Sequence, residues 1–148
     1  MSLPGVLVAD INNKEVPLCE IVRVRRSGGQ VVQWCDVYIG RAMTMGGWNL
    51  KGSEFANPYT VKEYGLEEAC RKYYAYVKNG PLYNQLEKLR GKVLGCWCDV
   101  DIHRDINDRL VNPRCHGEVL MRLLYERGLA IVKPSTGIDD LISHQTTV

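Results

Sequence analysis

The stretch Gly91–Gly117, which reads GKVLGCWCDVDIHRDINDRLVNPRCHG, decides the fold of this chain. Its apolar run from Val93 to Trp97 follows Gly91 and the basic residue Lys92, and is typical of a buried central strand. The run ends in the pair Cys96 and Cys98. Because alternate residues of a strand point to one face, we expect both sulfurs on the same side of the sheet.

A third cysteine and a histidine follow this strand after a polar link over residues 99–114. Cys115 and His116 come just before an apolar-periodic helix, which the pattern predicts from about Glu118. In open α/β sheets, ligands bind at the edge where strands end and helices begin. The stretch therefore predicts a site at this edge, without naming its reaction.

The composition is that of an ordinary globular protein, with 148 residues, 45% hydrophobic residues and 24% charged residues. This length predicts a single domain over residues 1–148. The formal net charge of +2 is too small to indicate a nucleic-acid partner. The first ten residues, MSLPGVLVAD, lack the pattern of a secretory signal, and no stretch reaches transmembrane length. We therefore expect an intracellular, cytoplasmic protein without a membrane partner.

The six cysteines are not expected to form disulfide bonds in such a reducing compartment. They should serve as core thiols, metal ligands or reactive groups. Cys70 lies in a helical pattern and is predicted to pack in the core, and Cys19 and Cys35 are predicted to be small apolar residues on strands.

The order of the predicted elements indicates an α/β or α+β class, as a small three-layer sandwich around a mostly parallel sheet. Two β-rich runs over 19–26 and 31–39, joined by a Ser-Gly-Gly-Gln turn, predict a hairpin. A helix is predicted at 60–65, with Thr60 as its cap, and further helices at 66–79 and from Pro81 to about Gly91. A last strand is predicted at 129–132 and a short helix at 138–142, with residues 1–17 and 144–148 as arms.

A long loop over residues 42–59 contains several candidate ligand-binding residues. Arg41 ends a predicted strand just before it, and arginine suits bidentate binding of phosphate or carboxylate, although a surface salt bridge is an equal alternative. Asn57 can contact a base or ribose, or can cap the next helix. The aromatic residues Trp48, Phe55 and Tyr59 can stack on a flat ligand or pack the loop against the core.

Four motifs in this order resemble a known family. They are VYIGR at 37–41, SEFANPY at 53–59, LGCWC at 94–98 and CHGEVL at 115–120. The chain resembles the domain of unknown function 4326 (DUF4326), found in phages, large DNA viruses and bacteria, over a family-like core of residues 38–124. The resemblance implies that the protein could be virus-encoded, but no activity. Family members have a shorter, proline-containing link between the CxC and CH motifs, whereas the link here carries His103.

The cysteine motifs support three hypotheses. Cys96, Cys98, Cys115 and His116 form a ligand set that zinc accepts, with His103 as another ligand in place of His116. Cys115 at a helix amino terminus would have a lowered pKa and could act as a nucleophile or acid–base group, with His116 or His103 as its proton partner. The simplest alternative is that all three thiols are packing residues.

These observations lead to a functional hypothesis and an alternative. The first is a domain that binds a nucleotide-like or phosphorylated small molecule through Arg41, Trp48, Asn57, Cys96 and Cys98, with Cys115 and His116 as the catalytic candidates if it is an enzyme. The alternative is a zinc-stabilised, non-enzymatic adaptor or interaction domain. Both require that strands ending near Gly40 and Cys98 run parallel as neighbours, because only then do these residues share one cleft.

Overall fold

The computed structural model of the protein describes residues 19–98, 101 and 103–128. The sheet of the domain contains three parallel strands in the order β1–β5–β4, which are β1 Glu20–Arg23, β5 Val93–Cys96 and β4 Val37–Tyr38. A separate hairpin is formed by β2 Arg25–Ser27 and β3 Gln30–Gln33. The α/β class and the parallel sheet predicted from the sequence are therefore confirmed.

The predicted hairpin is shorter than expected. Its Gly28–Gly29 turn has positive φ angles at both glycines, as tight hairpin turns require. However, β1 separates from β2 at Val24 and pairs with β5 instead, because the backbone N–H of Val24 donates to the Cys96 carbonyl at 3.1 Å. The predicted second β-rich run, 31–39, likewise divides into β3 and β4, and the latter joins the central sheet.

The helices are α1 Val61–Tyr64, α2 Leu66–Lys78, α3 Ile106–Val111 and α4 His116–Glu126. The segment Pro81–Leu89, predicted as an ordinary helix, is a 3₁₀ helix. Thr60 caps α1 as predicted, since its side chain accepts a hydrogen bond from the Glu63 N–H at 3.1 Å. Helix α3 lies in the link that we had interpreted as polar and irregular. The predicted elements at 129–132 and 138–142 lie outside the described residues.

One apolar core joins these helices to the sheet. Leu94 and Cys96 of β5 belong to the same buried cluster as Ile21, Ile39 and the apolar faces of α2, α4 and the 3₁₀ helix. The opposite face of β5, toward which Gly95 points, meets Val24 and Cys35. Within the described residues, the predicted third layer is therefore formed by the chain around the hairpin rather than by helices. None of the described helices combines the length and apolar composition of a membrane span.

The loop over residues 42–59 is attached to this core at several points. The Ser53 N–H donates to the Gly40 carbonyl at 2.9 Å, and Met43 pairs with Leu50 in an isolated β-bridge. Phe55 is only 3% exposed, and the Tyr73 hydroxyl donates to its carbonyl at 2.5 Å. The loop therefore forms a defined wall next to the strand ends.

A buried ionic cluster connects α3 to α4. Glu118 is 1% exposed, and its Oε2 accepts a hydrogen bond from Nε of Arg109, itself 5% exposed, at 2.7 Å. Its Oε1 accepts from the Arg114 N–H at 2.8 Å and from Arg104 Nη1 at 3.4 Å. Since Glu118 lies in the first turn of α4, this cluster also fixes how the chain enters that helix.

Replacing Glu118 with alanine should destabilise the protein strongly, because Arg109 would remain buried without its carboxylate. We expect the free energy of unfolding to fall by about 3–5 kcal/mol in urea denaturation. The matched control is Glu68→Ala, which removes the exposed pair with Arg71 and should lower the free energy of unfolding far less, because water screens that pair. Equal losses for the two variants would contradict a structural role for the cluster.

Candidate functional site

The strand ends meet at one edge of the sheet, as the site hypothesis requires. Strand β4 runs parallel to β5, and the Ile39 N–H just beyond it donates to the Gly95 carbonyl at 2.8 Å. The chain leaves β4 at Gly40 and β5 at Trp97. Helix α4 begins at the same edge, because the ring of His116 reaches the Ile39 carbonyl. The predicted neighbourhood of the two strands is therefore confirmed.

Three thiols cluster at this edge. The sulfurs of Cys96, Cys98 and Cys115 all lie within 4.8 Å of one another, and those of Cys96 and Cys115 are 3.6 Å apart. Cys115 is the N-cap of α4, and its sulfur accepts a hydrogen bond from the Gly117 N–H at 3.3 Å. Cys96 and Cys115 are buried, whereas Cys98 is half-buried. The strand end and the helix start thus converge on one sulfur cluster.

The cluster favours a negative charge on Cys98. Hydrogen bonds from Cys115 and then Cys96 lower the pKa of Cys98 far below that of an ordinary thiol, and His116 adds to this effect. The bond with Cys115 lowers the pKa of Cys96, but its bond to Cys98 and its burial outweigh this and raise it to about 12. The same bonds to Cys96 and Cys98, together with burial, raise the pKa of Cys115. The three thiols thus share their protons, and Cys98 loses its proton first.

His116 is held in a defined orientation. Its Nε2 lies 2.8 Å from the Ile39 carbonyl, which can only accept, so Nε2 carries the hydrogen. The ring also contacts the edge of Tyr73, with the centroids 5.4 Å apart and the planes at 87°. Nδ1 is consequently the nitrogen that remains to accept a proton or bind a metal ion.

A cleft of about 830 Å³ opens in front of Cys98. Loop 42–59, helices α1 and α2, and the start of α4 surround it. Its lining residues are Gly40, Arg41, Ala42, Met43, Asn57, Tyr59, Thr60, Val61, Lys62, Glu63, Leu66, Ala69, Cys70, Trp97, Cys98, Arg114, Cys115 and His116. Three of these side chains are cationic and one is a carboxylate, so the charge of the lining favours an anion.

The cleft gathers five of the predicted site residues, namely Arg41, Asn57, Cys98, Cys115 and His116. Cys96 is fully buried and does not line the cleft. Its sulfur lies next to the sulfurs of Cys98 and Cys115, which do. Trp48 is not part of the lining: it packs against Trp97 and Trp34 on a different surface. The structure therefore does not bring Trp48 together with the other predicted ligand-binding residues, and its predicted ligand contact stays a prediction.

Asn57 has a positioning role in the structure. Its carbonyl accepts a hydrogen bond from Arg41 Nη2 at 2.7 Å, and its Oδ1 accepts from the Tyr59 N–H at 2.9 Å. Its Nδ2 donates to the Ala69 carbonyl at 3.4 Å. Thus Asn57 orients Arg41 and joins the loop to α2, while the predicted capping of α1 is performed by Thr60.

Sequence reasoning missed Arg114 and Lys62 as lining residues. The position of Arg114 directly before the Cys115–His116 pair was an available signal, because that pair already indicated the site. No sequence motif indicated Lys62. Helix α1 lies at the cleft only because of the path that loop 42–59 takes before it. His103 is exposed and does not belong to the described sulfur cluster.

Comparisons with known proteins agree with the motifs. The family model described as Domain of unknown function (DUF4326) matches residues 22–126, which extends beyond the predicted core at its amino-terminal side. Uncharacterized protein R718 of Acanthamoeba polyphaga mimivirus is 43% identical over 104 residues, which cover 70% of this chain and 77% of that protein. No solved structure matches the chain. With most of its length matched, from β1 to the last turn of α4, this chain belongs to the DUF4326 family.

Proposed function

We propose that the cleft binds a phosphorylated, nucleotide-like small molecule. The observation that supports this most directly is that Arg41, Arg114 and the amino terminus of α4 surround one cavity beside a thiol with a strongly lowered pKa. A helix amino terminus attracts anions through its free N–H groups and its dipole, and guanidinium groups match the geometry of phosphate.

Arg41 is the strongest anchor for the phosphate. It is exposed, and in the described part of the chain its guanidinium has no carboxylate within 4.0 Å. One Nη2 hydrogen bond to the Asn57 carbonyl aims the group and leaves further N–H donors for a ligand. An arginine that is oriented but not neutralised is what an anion site requires.

The remainder of the cleft suits a flat, partly apolar group. Tyr59, Val61, Leu66 and Ala69 provide aromatic and aliphatic surface opposite the charged side. Lys72 lies over the Tyr59 ring, with its Nζ 5.6 Å from the ring centroid, and the Tyr64 ring packs edge-on against it. Tyr59 is therefore fixed in position and can stack on a base without losing much conformational freedom.

Cys98 is the thiol that we assign to any reaction in this cleft. The sequence favoured Cys115 as the nucleophile, but Cys115 is 3% exposed and has a raised pKa. Cys98 lines the cleft and has the lowered pKa. A thiolate repels a phosphate, so the phosphate should bind near Arg41 and Arg114, with the base or sugar nearer the sulfur. His116 would orient and stabilise the thiolate.

Nucleotide binding should depend on Arg41. We expect nucleoside phosphates, but not the corresponding nucleosides, to raise the melting temperature of the protein in a thermal-shift screen. Arg41→Ala should weaken binding about 10- to 100-fold, because a charge-assisted hydrogen bond is lost. Arg90→Ala, at an exposed arginine outside the cleft, is the control and should leave binding unchanged. Identical shifts for the wild-type and Arg41→Ala proteins would contradict the proposal.

Alkylation should identify Cys98 as the reactive thiol. In metal-free protein, iodoacetamide should modify Cys98 first at pH 6, and the rate should change little up to pH 8, because the lowered pKa keeps the thiolate present throughout this range. Cys70 lines the same cleft but has a pKa raised to about 11 by burial, so its modification should be slow and should accelerate with pH. Peptide mass spectrometry would count against this assignment if Cys70 or Cys115 reacted before Cys98.

A zinc centre is the second candidate, supported by the spacing of the sulfurs. Zinc–sulfur bonds of about 2.3 Å in a tetrahedron place the sulfurs about 3.8 Å apart. The 3.6 Å between Cys96 and Cys115 agrees with this distance, and Cys98 lies within reach of both. A histidine that binds zinc typically donates its other N–H to a carbonyl, as His116 does to Ile39. The three sulfurs therefore fit three zinc ligands that would join β5 to α4, whereas His116 does not belong to the described group of ligand atoms that lie within 4.8 Å of one another.

Metal analysis distinguishes the zinc centre from a reactive thiol. If the centre forms, protein purified without chelator should contain about one zinc ion per chain, and Cys96→Ser should lose it. Cys70→Ser is the matched control and should retain the metal, because Cys70 lies outside the sulfur cluster. Zinc-loaded protein should also resist alkylation at Cys98. Metal-free wild-type protein that does not take up added zinc would exclude the zinc proposal and leave the thiolate proposal intact.

A further inference from the structure

A second concave surface lies on the side of the sheet edge away from the cleft. Strands β1 and β2, loop 42–59 and Trp97 enclose a groove of about 740 Å³, which we call the arginine–tryptophan groove. It is lined by Ile21, Val22, Arg23, Val24, Arg25, Arg26, Gln33, Gly46, Trp48 and Trp97. The three arginines and the absence of acidic residues among these described lining positions give the groove a positive charge.

Two tryptophans, Trp48 and Trp97, line this groove, and a third, Trp34, packs against Trp48 beside it. Trp48 packs edge-on against Trp97 with ring centroids 5.2 Å apart, and Trp34 lies nearly parallel to Trp48, at 6.1 Å and 23°. Trp34 is 47% exposed, so much of its ring surface is open to a ligand. The guanidinium carbon of Arg26 lies 5.4 Å from the Trp48 ring centroid, so charge and aromatic surface alternate.

We propose that the arginine–tryptophan groove binds single-stranded nucleic acid. Cationic side chains that follow a groove attract the phosphate backbone, and exposed aromatic rings stack on unpaired bases without selecting their sequence. Arg25 and Arg26 supply the charge, because neither forms an ion pair within the described residues. The net charge of +2 indicated no nucleic-acid partner, but it is a sum over the whole chain. The groove concentrates positive charge beside the rings.

Single strands fit this surface better than a duplex. Stacking on the exposed ring of Trp34 requires the faces of unpaired bases, which a duplex keeps inside its own stack. The groove is also bounded by the hairpin β2–β3 and the loop, so a flexible chain can follow it more closely than a rigid rod. Trp97 lines both the groove and the cleft, so the two sites share one wall although their charged residues differ.

Fluorescence anisotropy with a labelled oligothymidylate of about 12 nucleotides, and with the matching oligouridylate, tests this proposal. We expect both to bind more tightly than a duplex of the same length, with an affinity that falls steeply as salt increases. Trp34→Ala should weaken binding about 5- to 100-fold, and Trp34→Phe should restore most of it. Arg25→Ala should weaken binding and reduce the logarithmic salt slope by about 1.

One control tests whether the loss of binding is specific to this groove. Arg90→Ala removes an exposed arginine outside both the groove and the cleft and should bind like the wild type. Circular dichroism of each variant verifies folding, and Trp34, as a half-exposed residue, is the substitution least able to disturb the core. Absence of binding, equal affinity for the duplex, or Trp34→Ala binding like the wild type would overturn the proposal and favour a protein partner for the tryptophans.

Discussion

Strand β5 is hydrogen-bonded along both edges, and the rest of the domain depends on this arrangement. On one side the Glu20 N–H donates to the Lys92 carbonyl at 2.9 Å. On the other, Asp36 exchanges two bonds with Val93: its N–H donates to the Val93 carbonyl at 2.7 Å, and its Oδ2 accepts from the Val93 N–H at 2.9 Å. A strand that is hydrogen-bonded to a neighbour on both edges lies inside the sheet, so its end is fixed relative to both neighbouring strands.

Gly95 allows the sheet to close around β5. A Cβ atom at this position would lie 2.3 Å from the Cys35 sulfur and 2.8 Å from Cγ1 of Val24, distances that no real side chain adopts. The absence of a side chain at Gly95 thus lets the covering chain approach the strand. The alternate residues Leu94 and Cys96 point into the apolar core with the helices. In the motif LGC, Leu94 therefore packs in the core, Gly95 lets the covering chain approach the strand, and Cys96 belongs to the sulfur cluster.

The site results from two independent constraints on the same edge. Parallel pairing sets where Cys98 and Arg41 emerge, and the buried cluster of Glu118 with Arg109 sets where α4 starts. Between them, Trp97 Nε1 donates to the Tyr38 hydroxyl at 2.6 Å, and that hydroxyl donates to the Arg41 carbonyl. This chain of bonds connects the wall of the arginine–tryptophan groove to the wall of the cleft. The two proposed binding surfaces are therefore supported by the same few residues, although each has its own charged groups.

The sequence alone was sufficient for features that depend on neighbours along the chain. The β5 strand follows from its apolar run, α2 from its periodicity, and the cap at Thr60 and the start of α4 near Cys115 from turn and helix-start chemistry. The family followed from four ordered motifs, which need no coordinates. It also allowed the prediction that strand ends near Gly40 and Cys98 meet, because parallel neighbours end at one edge.

Only the tertiary structure decided features that depend on contacts between distant segments. Strand β1 pairs with β5 rather than with the hairpin strand β3. A strand of this composition can pair with either of them, and the packing of the whole domain decides between the two. The tertiary structure also directed Trp48 away from the cleft and made Cys98, rather than Cys115, the accessible thiol. These outcomes depend on burial and on hydrogen bonds between residues far apart in the chain. Local periodicity does not encode those interactions, because the same side chain can pack or face a ligand depending on what the fold places opposite it.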